Sequence, residues 1–107
     1  MQRRIYLVRH AQANPGTPEV SDELRALNAS GKIVSTQVGK FLYQKNSNLN
    51  LILSSPATRA LTTAHIIARY LSLDLKSIQV EDSIYSARKL EILKLLTNLA
   101  DTIHQVM

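Results

Sequence analysis

Three short apolar segments, each running into a stretch with helical spacing, restrict this chain to one broad class of fold. RRIYLVR at 3–9 is β-branched and aromatic and is closed by polar residues, which predicts a buried strand at about 4–9. QANPGTPEVSDELRALN at 12–28, with two prolines, a glycine and several cap-type residues, predicts a loop. Asn28 then caps a helix to about residue 44, with Val34, Val38, Phe41 and Leu42 as its apolar stripe. LILSS at 51–55 is the second short buried strand. Pro56 opens the next helix, where its missing N–H is not needed, and Ala60, Leu61, Ala64, Ile67, Ala68 and Leu71 share one side of it. SIQVED at 77–82 gives a weaker third strand. Ser86 caps a last helix whose buried face is Ile92, Leu93, Leu96, Leu99 and Ile103, and HQVM at 104–107 has the pattern of a further strand's first residues.

Strand alternating with helix predicts an α/β fold, a mainly parallel sheet flanked by helices on both faces. The 107 residues are expected to form a single domain over 1–107, since no repeat, low-complexity tract or linker divides them. In such sheets ligands bind beyond the carboxyl ends of the strands. Two motifs fall there, Arg9-His10 after the first strand and Ser54-Ser55-Pro56 after the second.

Composition narrows the chemistry. The absence of cysteine removes disulfides, thiolate metal sites and cysteine nucleophiles together, and makes the cytoplasm the default location. No run approaches the ~20 apolar residues that cross a bilayer, so no membrane partner is expected. MQRRIYLV lacks a small-residue cleavage site and does not read as a signal peptide. A net charge of +5 favours anionic partners in general. Nucleic acid is not expected among them, because the one Phe and four Tyr do not interleave with basic residues and no recognised motif is present.

Arg59 falls in the first turn of the helix after the second strand, and in a parallel sheet the ends of the first two strands can lie side by side. Arg9 and Arg59 could then meet His10 around a small anion. An arginine fork matches phosphate oxygens in a bidentate way and stays charged at physiological pH. Backbone N–H groups near Ser55 to Ala57 would add donors. A neutral imidazole among them can attack phosphorus, which splits one hard transfer into two easier ones. The arginines would stabilise charge on the transferred oxygens, and no metal is then required.

LVRHAQA at 7–13 resembles the Arg-His-Gly signature of the histidine phosphatase superfamily, which includes the cofactor-dependent phosphoglycerate mutases. LILSSPATRALTTAHIIA at 51–68 resembles that superfamily's second block, in which Ser-Ser-Pro precedes an arginine by three residues, and LRALNASGK at 24–32 resembles the segment between. The resemblance implies a phosphoglycerate mutase-like fold lacking its final strand and helix portion. It also implies His10 as nucleophile, Arg9 and Arg59 as phosphate clamp, and Arg25, Ser55 and Gln12 as substrate-binding residues. After the third strand the mutases carry a Gly-x-x-Glu-Gly-like segment with a general-acid carboxylate. VEDSIYSARKLEILKLL stands there instead, which is similar to the compact SixA-type phosphohistidine phosphatases.

The function implied is hydrolysis of phosphohistidine on a partner protein through a phosphohistidine on His10, with no cofactor. A phosphatase of small phosphate esters, with Glu81 or Asp82 as acid, is the alternative within the enzymes. A non-catalytic phosphate-binding remnant is the alternative outside them, because the superfamily's second histidine, carried on a later strand, has no match here. Position 11, a glycine in the superfamily signature, is Ala11. Tyr85 is a candidate wall of the pocket, while His65 and His104 read as structural or exposed.

Overall fold

The computed structural model describes residues 2–86 and 88–107. Four short strands and three helices alternate along the chain: β1 (Arg4–Ile5), α1 (Ala29–Gln44), β2 (Ile52–Ser54), α2 (Thr58–Tyr70), β3 (Ile78–Val80), α3 (Lys89–Thr97) and β4 (Gln105–Val106). This is the expected α/β order. Every strand pairing is parallel. Arg4 and Ile5 of β1 face Gln105 and Val106 of β4, and Ile52 to Ser54 of β2 face Ile78 to Val80 of β3.

A parallel bridge between Leu51 and Val106 joins the two pairs. Leu53 N–H donates to Met107 O at 2.8 Å and Met107 N–H to Leu51 O at 3.1 Å. The order across the sheet is therefore β1-β4-β2-β3. The ends of β1 and β2 are not neighbours, as the sequence suggests they could be, but flank β4. Within the 104–107 segment, whose pattern predicts the start of a strand, Gln105 and Val106 form β4.

β1 is shorter than the expected 4–9. Tyr6 N–H still donates to Val106 O at 2.8 Å, but no strand among the described residues pairs with Leu7 to Arg9. A strand is defined by its partner as much as by its own side chains.

The core gathers Leu49, Ile52, Ala64 and Ala68, with Tyr6, Leu71, Leu73, Ile78 and Met107 packed around it. Ala64, Ile67 and Ala68 of α2 are buried as expected, and Thr63 joins them. The face predicted for α1 is only partly the buried one. Leu42 is buried, but Phe41 is 55% exposed and Val34 42% exposed. The buried line on α1 is Gly31, Ser35, Gly39 and Leu42. A Cβ on Gly39 would lie 2.8 Å from Tyr70 Cβ, and one on Gly31 would lie 2.1 Å from the Gln12 carbonyl oxygen. The neighbouring chain comes too close for a side chain, and that decides which face turns inward.

The last helix begins at Lys89 with Arg88 as its N-cap. Ser86, expected to cap it, ends the short turn Asp82–Ser86 instead. Leu99 and Ile103 lie beyond the helix end, and Leu93 is exposed. No helix among the described residues is long and apolar enough to cross a membrane.

Candidate active site at the strand ends

The chain leaves β1 through Tyr6, Leu7 and Val8 and brings Arg9 and His10 to the carboxyl edge of the sheet. A second approach comes from β2, whose buried Ser54 and Ser55 lead through Pro56 and Ala57 into α2. The Ser55 hydroxyl accepts from Ala57 N–H at 3.1 Å, closing the turn that starts the helix. One residue into α2 stands Arg59. Thr63, a helical turn further, fastens the two approaches together. Its hydroxyl accepts from Ala11 N–H at 3.2 Å and donates to Arg59 O at 2.8 Å.

A cavity of about 270 Å³ opens between these segments, with Arg9, His10, Ser55, Arg59, Thr63 and Tyr85 among its walls and Met107 at its edge. His10 lies in it with a defined tautomer. Its Nδ1 is 2.7 Å from the Ala11 carbonyl oxygen, which can only accept, so Nδ1 carries the proton. Nε2 then presents a lone pair, and Arg59 Nε–H donates to it at 3.3 Å.

The remaining edge of Arg59 is held by the loop before α1. Its Nη1 donates to the Asp22 carbonyl oxygen at 2.6 Å and its Nη2 to Asp22 Oδ2 at 3.0 Å. Arg25 Nη1 donates to Asp22 Oδ1 at 2.9 Å, and its Nε to Asn14 O at 2.9 Å. The Tyr85 hydroxyl donates to Asp22 Oδ2 at 2.5 Å. Hydrogen bonds from Tyr85, then Arg25 and Arg59, hold the Asp22 carboxyl at a pKa of about 2. The same bond raises the pKa of Tyr85 and keeps its proton in place.

Of the residues predicted for the site, Arg9, His10, Ser55 and Arg59 line one cavity, and Tyr85 joins them. Arg25 is not a wall of it and connects to it through Asp22. The side chain of Gln12 is not a wall either. Its carbonyl accepts from Asn28 N–H at 3.1 Å, which fixes the loop where it enters α1. Glu81 also stands apart: its N–H donates to Ser54 O at 2.8 Å and its carboxylate accepts from Gln79 Nε2 at 2.5 Å. Neither Glu81 nor Asp82 is among the walls.

Two residues of the constellation escape sequence reasoning, Asp22 and Thr63. The only signal for Thr63 is its place four residues after Arg59 on the same helix face. Asp22 stands three residues before Arg25, in a loop whose path the sequence does not reveal. No group of three or more metal-ligating side chains occurs among the described residues.

A sequence model described as the histidine phosphatase superfamily (branch 1) matches residues 5–83. Among solved structures, the chain superposes with a TM-score of 0.88 on a protein from Agrobacterium tumefaciens assigned as the phosphohistidine phosphatase SixA. The two are 30% identical over 97% of this chain and 66% of that one. A protein from Nakamurella multipartitia with the same assignment gives a TM-score of 0.84 at 23% identity, over 97% of this chain and 56% of that one. The protein histidine phosphatase SixA in complex with tungstate gives 0.73 at 24% identity, over 95% of this chain and 65% of that one. The latter two similarities bear on the fold alone. The chain spans 56–66% of the length of these three proteins. No curated protein matches it.

Proposed function

The chain belongs to the histidine phosphatase superfamily, and on that premise we propose that it removes phosphoryl groups through a covalent intermediate on His10, with phosphohistidine on a partner protein as the substrate class. The observation that carries this reading is the His10 ring inside the cavity, with Nδ1 against the Ala11 carbonyl and Nε2 against the Arg59 guanidinium. The Nε2 lone pair attacks phosphorus, an N–P bond forms, and the N–P bond to the substrate imidazole breaks. That imidazole leaves with a proton on its other nitrogen. Water then attacks the phosphoryl group on His10, and the electron pair of the second N–P bond returns to Nε2. Inorganic phosphate departs with the water's hydroxyl on phosphorus and the water's other proton on a phosphoryl oxygen. Arg59 and Arg9 offset the charge on the phosphoryl oxygens through both steps.

Phosphohistidine is favoured over an ester because no Asp or Glu is among the walls of the cavity in the described residues. Asp22, at its edge, has a pKa of about 2 and carries no proton to give. An alkoxide needs such a proton as it leaves, whereas a protonated imidazole does not. We read residues 1–107 as part of one such domain, acting in the cytoplasm without metal or cofactor.

A second reading, phosphate binding without turnover, rests on His10 being the single histidine among the cavity walls in the described residues. Phosphate release from a phosphohistidine peptide, compared with release from an alkyl phosphate ester, separates these readings. The proposal predicts turnover of the peptide that exceeds the ester by about a hundredfold or more, the range a general acid supplies. Equal rates on both, or release from the ester alone, would overturn it.

A further inference from the structure

Asp22 belongs to no strand or α-helix, lies in an exposed turn, and yet is the residue on which three cationic or hydroxylic side chains of the site converge. A guanidinium has two edges that can each hold a pair of oxygens. The outer edge is made by Nη1 and Nη2, the inner one by Nε and the nearer hydrogen of Nη2. Asp22 takes the outer edge of Arg59 with two different atoms, its backbone carbonyl at 2.6 Å from Nη1 and Oδ2 at 3.0 Å from Nη2. The inner edge faces His10, with Nε 3.3 Å from Nε2.

We propose that Asp22 is the positioning residue of this site, fixing the Arg59 guanidinium by its outer edge so that the inner edge is presented to a phosphoryl group at His10 Nε2. The inference deepens the reading of His10 as phosphoryl carrier and rests on it. Arg59 has four rotatable side-chain bonds, and without a second anchor its fork would sample many directions. A misplacement of about 1 Å at a reacting centre is enough to cost roughly a hundredfold in rate. Arg25 Nη1 on Oδ1 and the Tyr85 hydroxyl on Oδ2 anchor the carboxylate in turn. Arg25 thereby serves the phosphate clamp at one remove.

The competing account makes Asp22 a plug, a carboxylate that holds the arginine in place of substrate and must be displaced. The two accounts differ in sign. Removing a negative charge next to an anion site raises anion affinity on charge grounds alone, so a plug predicts tighter binding in any variant that neutralises Asp22. Positioning predicts that geometry dominates once the side chain is lost.

The test measures inorganic phosphate affinity and the exchange of the Arg59 Nε–H proton by NMR in the 107-residue chain, its D22N and D22A variants and R59A. Asn keeps an acceptor oxygen where Oδ2 stands, and Ala keeps none. The expected result is that D22A loses the slowly exchanging Nε–H and binds phosphate about tenfold or more weakly, whereas D22N keeps the proton signal and binds no more weakly than the parent. Phosphate binding by D22A equal to or tighter than the parent's would overturn the proposal. Should D22A fail to fold, Asp22→Ser, whose side chain is too short to reach Nη2, gives the same comparison. If D22A matches the parent while R59A loses phosphate, the inference fails and the phosphatase reading stands. If the D22A defect appears but the parent chain takes no phosphoryl group from a phosphohistidine donor, the functional reading fails and the positioning role remains.

Discussion

The site depends first on one imidazole tautomer and one guanidinium. Because Ala11 O and Arg59 Nε set the two ring nitrogens of His10 in opposite roles, the proposed reaction runs through Nε2. Arg59→Ala is expected to lower turnover of a phosphohistidine substrate by about 10²–10³-fold, the usual effect of deleting a donor aimed at developing charge. Arg59→Lys should recover little of it, since an ammonium is a point charge with no second edge for Asp22 to hold. The acid behaviour of Asp22 gives an independent check. Its carboxyl titrates at about 2, against a usual value of 3.8, chiefly through the Tyr85 hydroxyl. A depressed carboxyl adds stability that is fully present above pH 3.8 and is lost as pH falls through about 2. Tyr85→Phe removes the largest cause, so the Asp22 carboxyl in that variant should titrate higher, toward 3.8, when followed by carbon NMR.

Between helices, small residues decide the arrangement. Gly39→Ala would place a methyl 2.8 Å from Tyr70 Cβ, and it should destabilise the fold by about 1–3 kcal/mol in chemical denaturation. Gly31→Ala is different in kind, because its methyl would meet the Gln12 carbonyl at 2.1 Å and displace backbone two residues from His10. It should lower activity as well as stability, whereas Gly39→Ala should leave the activity of the folded fraction near that of the parent. These contacts explain which elements could be read from the sequence. The alternation of strands and helices was legible because each segment carries its own period. The stripe on α2 was legible because its small and branched residues pack where apolar residues are expected. The inward face of α1 was not, since Gly31, Ser35 and Gly39 carry no hydrophobic signal and face the partner only because it comes so close. Arg9, His10, Ser55 and Arg59 could be found from two local motifs at strand ends. Asp22 could not, because the loop from Ala13 to Leu27 brings it to Arg59 across 37 residues of sequence and no local pattern encodes that path.

For the molecule as a whole, the sheet order places β4 between the two strands that deliver the site. Met107 bonds to β2 on one side, while Val8 N–H, on the other side of the cavity, has no partner among the described residues. Hydrogen exchange should therefore find the Tyr6, Leu53 and Met107 amides protected and the Val8 amide fast. Equal protection at all four would contradict this strand order. The chain covers 56–66% of the SixA structures it resembles, and within that length lie His10, Arg9 and Arg59, the proposed nucleophile and clamp, around one cavity. Whether those groups suffice for the first chemical step is the central claim. It is tested most directly by mass spectrometry of the 107-residue chain after mixing with phosphoimidazole, beside a His10→Ala variant shown to be folded by circular dichroism. A phosphoryl adduct located on His10 and absent from the His10→Ala protein is the predicted result. An unmodified His10, with phosphate released no faster than by the His10→Ala protein, would contradict the account and leave a site that binds phosphate without transferring it.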